Sequence, residues 1–239
     1  MNSILIIIPT FNESRSIINI LDIINRNIDN VDVLIVDDNS PDNTSLIVKE
    51  YIKKNNISNI HLICRKKKLG LGSAYIAGFK YALEMNYKKV IQMDADLSHD
   101  PKDVPALISA SSENDLVIGS RYLNGIRIIN WPISRLLLSY FANLYARKII
   151  GLNIFDITAG FKCINTSFLK KINLDKIKSE GYSFQIEIHY LASVNNCKIS
   201  EVPIIFTDRT TGDSKMSLSI ILEAIFIVPY LKFKKILKI

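Results

Sequence analysis

A doubly wound α/β domain is the fold that this sequence predicts, on three observations. Five short apolar runs, at residues 4–8, 33–36, 61–64, 90–93 and 116–118, are near-continuous in Ile, Val and Leu. Such runs mark parallel strands covered on both faces. Between them, apolar residues recur at helical spacing, as in Ile17, Ile20, Leu21 and Ile24, or Leu46, Ile47 and Tyr51. Two of the runs end in carboxylates, Asp37-Asp38 and Asp94-Ala95-Asp96, at the strand ends where open α/β sheets bind ligands.

The first run passes into Pro9-Thr10-Phe11-Asn12-Glu13 and reads as a buried strand, not a signal peptide, since no basic leader precedes it. Asn39-Ser40-Pro41-Asp42-Asn43-Thr44 is turn and capping chemistry that leads into a second helix. The run at 90–93 delivers Asp94 and Asp96 and stops at Leu97-Ser98-His99-Asp100-Pro101, where Asp100 before Pro101 marks a helix start. Right-handed crossovers put all these strand ends on one edge, so both acidic ends face the same crevice. After about residue 125 the pattern changes. Residues 133–150 form a long helical stretch carrying Arg135, Arg147 and Lys148. In residues 183–195, Phe184, Ile186 and Ile188 alternate with polar side chains as in a strand, but the length and the Leu191-Ala192 continuation predict a helix. Residues 204–206 predict one more strand. The last stretch is apolar first and then basic, with Lys232, Lys234, Lys235 and Lys238. The organisation predicted is one domain over residues 1–216 with an amphipathic basic tail over 217–239.

Composition bounds the function. At 239 residues and 48% hydrophobic content the chain is globular, and its net charge of +7 suits anionic partners such as nucleotides, lipid phosphates or a membrane surface. Cys64, Cys163 and Cys197 show neither metal spacing nor a disulfide framework, which predicts a reducing cytoplasm. No apolar stretch reaches the ~18–20 residues that a membrane span requires.

Asp94 and Asp96 are either two ligands for a hard cation or a solvated turn. Mg²⁺ and Mn²⁺ prefer oxygen, and Mg²⁺ is held by one or two carboxylates plus substrate phosphates. Residues 9–13 either wall a nucleotide or merely begin the first helix, with Glu13 in its first turn. The run Arg65-Lys66-Lys67-Lys68 precedes Leu69-Gly70-Leu71-Gly72-Ser73, where backbone N–H groups at a helix start can meet an anion. No Walker sequence occurs, which argues against a P-loop NTPase. Arg209 and Lys215 flank Thr210-Thr211-Gly212-Asp213-Ser214, either a surface turn or a phosphate loop with arginine's fork and lysine's point charge. Arg121, just after a strand end, is a further cation on the ligand edge. His61, His99 and His189 have no metal spacing and are expected to be structural.

Together these residues resemble the polyprenol-phosphate (dolichol-phosphate) mannose synthases, family 2 glycosyltransferases of the GT-A fold. The resemblance is carried by Pro9-Thr10-Phe11-Asn12-Glu13, Asp37-Asp38-Asn39-Ser40-Pro41-Asp42 and Asp94-Ala95-Asp96-Leu97-Ser98-His99. Further matches are Gly119-Ser120-Arg121-Tyr122, Trp131-Pro132-Ile133-Ser134-Arg135, Asp156-Ile157-Thr158-Ala159-Gly160-Phe161, Glu180-Gly181-Tyr182-Ser183-Phe184-Gln185-Ile186-Glu187 and residues 209–215. It implies that Pro9, Phe11, Glu13, Val36 and Asp38 line a nucleotide pocket, with Ala95 beside the nucleotide. Asp94 and Asp96 would bind Mg²⁺ or Mn²⁺ against the diphosphate. Arg121, Arg135, Ser139 and Arg209 would hold a lipid phosphate, and Lys215 would meet donor or acceptor phosphate; Asp96, Arg121, Arg209 and Lys215 would carry the catalysis. Phe11 stands where tyrosine is frequent in the family, and Ser98 where some relatives place a glutamine metal ligand. The implied reaction is inverting transfer of mannose from GDP-mannose to a polyprenyl monophosphate. The implied setting is the cytoplasmic face of a membrane, with peripheral contact, a membrane-anchoring subunit as a further partner, and no nucleic acid.

Two other readings compete. One is the same chemistry with UDP-glucose; the other is a non-catalytic subunit that binds nucleotide or lipid phosphate, against which the intact set Asp94, Asp96, Arg121 and Arg209 argues. A flavodoxin-like or receiver domain also has acidic strand ends but fails on length and on the basic second half.

Overall fold

The computed structural model describes residues 2–208 and 218–237. The first half alternates strand and helix: β1 (Ile4–Thr10), α1 (Ile17–Asn27), β2 (Val31–Asp37), α2 (Thr44–Lys54), β3 (Ile60–Cys64), α3 (Leu71–Glu84), β4 (Lys89–Gln92), α4 (Val104–Ala110) and β5 (Leu116–Ser120). The second half holds β6 (Ile128–Ile129), α5 (Ile133–Ile150), β7 (Lys162–Asn165), α6 (Thr166–Leu169), α7 (Gly181–Val194), β8 (Ile199–Pro203), β9 (Phe206–Thr207) and α8 (Leu218–Leu237). Seven strands form one sheet in the order β3-β2-β1-β4-β7-β5-β8, and β6 and β9 form a separate parallel pair. All pairings in the large sheet are parallel except those of β7, which runs antiparallel between β4 and β5. This is the mostly parallel α/β sheet expected, flanked by helices on both faces.

The sheet is buried on both sides because its strands are apolar at consecutive positions. On one face Leu5, Ile7, Leu34, Val36, Val90 and Ile118 pack with Tyr75, Phe79, Phe184 and Ile188 of α3 and α7. On the other, Ile6, Ile8, Val33, Ile35, Ile91 and Val117 pack with Ile17, Ile20, Leu21 and Ile24 of α1 and with Val104 and Leu107 of α4. The β1–β2–β4 ends therefore stop together at one edge, and that edge carries the site.

The second half departs from the sequence reading in one strand and adds features that it did not contain. Residues 204–206 are not one strand: β8 ends at Pro203 and only Phe206 and Thr207 pair again, with β6. The apolar run Ile204-Ile205-Phe206 is instead a crossing in which Ile204 and Phe206 are buried and Ile205 is exposed. β7 went unpredicted, being four residues with a lysine at its start. Pro229 lies inside the last helix, which runs as α8 from Leu218 to Leu237. Val228 and Leu231 on either side of the proline are fully buried in the core with α5 and α7 residues, and that packing offsets the hydrogen bond a proline removes.

Lys162 is fully buried in β7, its Nζ 2.8 Å from His189 Nε2, while His189 Nδ1 lies 2.9 Å from Ile157 O. The carbonyl can only accept, so Nδ1 carries the proton and Nε2 accepts from lysine. Burial drives both pKa values well below their ordinary ranges.

Candidate active site

A cavity of about 410 Å³ opens at the C-terminal edge of the sheet. Of the residues singled out from the sequence, Pro9, Phe11, Glu13, Asp38, Asp94, Ala95, Asp96, Arg121 and Arg135 line it together. Val36 does not: it is fully buried in the core beneath. Ser139 does not line it either, and its Oγ accepts a 2.8 Å hydrogen bond from Tyr122 OH. Arg209 and Lys215 lie outside the described residues.

The acidic pair at the end of β2 divides its labour. Asp37 is fully buried and takes hydrogen bonds from Thr10 Oγ1, Ser40 N and Ser40 Oγ, so it fixes the turn. Asp38 reaches the cavity, pairs with Arg65, and accepts from Leu69 N and Gly70 N at 3.1 and 3.3 Å. Half of the predicted basic run is thereby accounted for. Arg65 is tied to Asp38, Ser73 and Gly70, and Lys68 Nζ sits 4.1 Å from the Phe11 ring centroid.

The anion seat predicted at the start of α3 is taken by the chain's own Glu180. Its carboxylate accepts from Gly72 N at 2.7 Å and Ser73 N at 3.3 Å, where the helix dipole favours negative charge. Gly70, at φ +98°, makes this possible: a Cβ there would lie 2.4 Å from Glu180 Oε2.

Asp94 follows β4. Its Oδ1 accepts from the buried Tyr75 hydroxyl at 3.3 Å, and burial and the nearby Asp94 charge hold that phenol protonated. The backbone N–H of Asp94 donates to His99 Nδ1 at 3.0 Å, which makes Nδ1 an acceptor and the ring neutral, as its burial also favours. His99 is stacked on Phe161 with ring centroids 4.8 Å apart and forms cavity wall. Asp96 Oδ1 accepts from Ser98 N and Ser98 Oγ at 3.1 and 2.6 Å, so the serine steadies Asp96. Between them Leu97 holds φ at +63°, a left-handed conformation costly for a leucine and concentrated at functional turns.

Two arginines line the same cavity. Arg121 is buried, and its Nε and Nη2 meet Asp156 Oδ2 and Oδ1 at 2.6 and 2.7 Å. Nη2 also donates to Thr158 Oγ1 at 2.8 Å. Burial alone would lower its pKa, but Asp156 overrides that and raises it. Arg135 donates from Nη1 to Asp208 at 2.9 Å and lies 4.0 Å over the Trp131 ring. The cavity thus brings Asp94 and Asp96 into one lining with Arg121 and Arg135.

A divalent cation fits the carboxylate side by donor chemistry. Among the described residues no group of three or more His, Cys, Asp or Glu could hold a metal ion by itself. Two aspartate oxygens facing a cavity suit a hard cation that completes its shell with phosphate oxygens and water.

The model of the family described as glycosyl transferase family 2 matches residues 5–173, a span that contains the β1 loop, both acidic strand ends and Arg121. The chain belongs to this family. Glycosyl transfer is accordingly its chemistry. The chain is 42% identical over 222 residues to an undecaprenyl-phosphate mannosyltransferase of Micrococcus luteus, covering 93% of this chain and 90% of that one. It is 43% identical over 223 residues to a polyprenol monophosphomannose synthase of Mycolicibacterium smegmatis, covering 93% and 84%. Among solved structures, glucosyl-3-phosphoglycerate synthase of Mycobacterium tuberculosis, in complex with Mn²⁺, UDP-glucose and phosphoglyceric acid, aligns at TM-score 0.67 and 17% identity, covering 95% and 80%. That likeness establishes the GT-A fold for this glycosyltransferase.

Sequence reasoning gave no site role to several residues that shape the cavity of this family member. Asp156 and Thr158 hold Arg121, Glu180 closes the start of α3, and Tyr182 and Gln185 of α7 reach the lining. Asp156 and Glu180 stand in stretches quoted for the family resemblance, which was the one signal pointing to them. Their partners lie 35 and 108 residues away, out of reach of any local pattern.

Proposed function

We propose that this glycosyltransferase moves mannose from GDP-mannose to a polyprenyl monophosphate, with inversion at the anomeric carbon. One observation carries the reading: a single cavity is lined by Asp94, Asp96, Arg121 and Arg135, in a chain 42–43% identical to proteins named undecaprenyl-phosphate mannosyltransferase and polyprenol monophosphomannose synthase. The reaction brings two anions together, a nucleoside diphosphate that leaves and a phosphate that attacks. Asp94 and Asp96 would hold Mg²⁺ or Mn²⁺, which when bound supplies Lewis-acid stabilisation of the leaving diphosphate. Pro9, Phe11, Glu13 and Asp38 wall the nucleoside end. Arg135 presents its guanidinium to the acceptor phosphate, and Arg121, fixed by Asp156, adds a second positive charge behind it. Arg209 and Lys215 belong to the same phosphate-binding set in this reading. A phosphate monoester has a second pKa of about 6, so near neutral pH the acceptor is already largely dianionic and no strong general base is needed. The chain's task is to align two repelling groups.

The acceptor lies in a membrane, and in this reading the protein docks on the cytoplasmic face. Among the described residues no helix is long and apolar enough to cross a bilayer. The features that support docking are exposed: Ile133, Leu137 and Phe141 recur every four residues on α5, and Phe226, Tyr230 and Phe233 project from α8 beside Lys232 and Lys234. Apolar side chains with flanking lysines suit an interface with anionic headgroups. In this proposal residues 217–239 serve the 1–216 domain as its membrane-facing tail.

The test is transfer of label from a panel of nucleotide sugars into a short polyprenyl phosphate with Mn²⁺ present. Label from GDP-mannose alone is expected. Label from UDP-glucose instead would change the sugar, and no label from any donor would refute the catalytic reading. Sedimentation of the protein alone with anionic vesicles tests docking and shows whether an anchoring subunit is needed.

A further inference from the structure

Arg121 is held in the cavity wall by a turn whose middle peptide group is itself gripped from two sides. Asp156 and Thr158, which receive its guanidinium, belong to a β-turn closed by Ala159 N donating to Asp156 O at 3.2 Å. The peptide group between Ile157 and Thr158 is the centre of that turn, and rotation of this group is what separates one β-turn type from another. Both of its polar ends are buried and taken by helix side chains. Thr158 N donates to Asn143 Oδ1 of α5 at 3.2 Å, and Ile157 O accepts from His189 Nδ1 of α7 at 2.9 Å. A planar peptide held at its N–H and at its C=O cannot turn without breaking one of those bonds.

The grip on the carbonyl depends on a further residue. His189 can donate from Nδ1 only while its proton sits there, and the bond made at the other ring nitrogen decides that. Lys162 Nζ, on β7, supplies that bond at 2.8 Å from Nε2, and both side chains are completely buried. Asp156 also acts on Lys162 directly, its charge favouring the protonated amine against the pull of burial. A chain of contacts thus runs from the interior to the cavity, from Lys162 through His189 and the 157–158 peptide group to Asp156, Thr158 and Arg121.

We infer that His189 and Lys162 are positioning residues for Arg121. The lysine sets the tautomer of the histidine, the histidine fixes the central peptide of the turn, and the turn sets the spacing of Asp156 and Thr158 into which the guanidinium fits. Neither residue lines the cavity. The consequence for substrate rests on the proposed function, in which Arg121 adds positive charge behind the acceptor phosphate. A displacement of about 1 Å there, caused from outside the site, is enough to slow a reaction ~100-fold.

Two variants of the full chain separate positioning from stability. Lys162→Met/His189→Phe replaces both buried partners by apolar groups of similar size, a change that folding tolerates far better than the loss of one partner. It leaves Ile157 O without its donor. His189→Gln keeps an amide N–H for Ile157 O and a carbonyl for Lys162. The direct readout is hydrogen exchange at the Arg121 side-chain Nε–H by NMR, its signal assigned by its loss in Arg121→Met. Backbone amides of β1 report global opening. Relative to those amides, Nε–H exchange is expected to rise about tenfold or more in the double variant and to stay within about threefold of wild type in His189→Gln. An unchanged ratio in the double variant, or an equal rise in His189→Gln, overturns the inference. If the double variant does not fold, Lys162→Met carries the same expectation and the same refutation, because the histidine proton is then free to move to Nε2. The second readout is kinetic. KM for geranylgeranyl phosphate should rise about tenfold in the double variant while KM for the nucleotide sugar changes less than about threefold. Faster Nε–H exchange with an unchanged acceptor KM refutes the acceptor role given to Arg121 and leaves its positioning intact. A raised acceptor KM with unchanged exchange overturns the positioning alone.

Discussion

Replacing Asp156 with alanine is expected to cost most of a domain's margin of stability, although Asp156 faces no ligand. Its carboxylate is completely buried and accepts three hydrogen bonds from Arg121, from the backbone N at 3.0 Å and from Nε and Nη2 at 2.6 and 2.7 Å. Arg121 itself is only 4% exposed and stays charged. The variant would leave a guanidinium in the interior with Thr158 Oγ1 as its remaining close acceptor. Removing one partner of a buried pair costs about 3–5 kcal/mol, against ~5–15 kcal/mol for a whole domain. With a urea m-value of about 3 kcal/mol/M the midpoint should fall by roughly 1 M or more. The assay is urea unfolding followed by circular dichroism on wild type, Asp156→Ala, Arg121→Met and the double variant. Because either single change strands a charge and the double change strands none, the double variant should be far more stable than the summed losses predict. Additivity within ~0.5 kcal/mol, or an Asp156→Ala midpoint near wild type, would refute the claim that these residues form one coupled unit.

Asp94→Ala and Asp96→Ala should each lower mannose transfer at least ~100-fold at saturating Mn²⁺, since several kcal/mol of charge stabilisation are at stake; activity within threefold of wild type sinks the metal-site reading. Arg135→Ala should raise KM for the polyprenyl phosphate about tenfold or more, as expected for loss of a charged hydrogen bond, and leave nucleotide affinity by calorimetry much less affected. The reverse pattern would reassign Arg135 to the donor. Asp103 offers a pH test: burial, with Asp100 nearby, pushes its carboxyl up to about 6. Its folded pKa lies above the unfolded value, so stability is lost as pH rises through roughly 4 to 6. After allowance for solvent screening, Asp103→Asn should exceed wild type by up to ~1 kcal/mol at pH 8 and match it near pH 3.5; an equal difference at both pH values rules this out.

The parallel strands were legible because burial on both faces removes the alternation that would otherwise hide them. Helix α7 was harder for the same reason. Its positions 183–190 are all buried, polar residues included, so Phe184, Ile186 and Ile188 imitate a strand period while Gln185 and His189 are equally enclosed. Length decided it correctly. β7 was illegible: the buried Lys162 that opens it is tolerated only because His189, 27 residues on, accepts its proton donor. The edge strand β8 reads Ile-Ser-Glu-Val-Pro, half exposed, and the more apolar stretch after it drew the assignment instead. At the site, strand-end aspartates announced themselves, whereas the partners that orient them, Tyr75 and His99, look like ordinary core.

A shared logic runs through the cavity walls. Each flexible approach to the site is fastened by a carboxylate of the chain: Asp38 holds the Arg65–Gly70 turn, Glu180 holds the start of α3, and Asp156 holds Arg121. These acids occupy backbone donors and hold Arg121 in one position at the cavity wall. Two further cations face the hollow on long side chains: Lys68 lies over the Phe11 ring, and Arg135 lies over Trp131 while donating to Asp208. Aromatic stacking holds a cation loosely compared with a carboxylate, so Lys68 can swing toward a phosphate with less reorganisation than Arg135, which would first have to leave Asp208. The net charge of +7 thus raises the local concentration of anions, while the internal acids restrict which cations are free to grip them. A site that must hold two anions at once, and then release one, gains from that division: fixed charge sets the geometry, and movable charge follows the substrate.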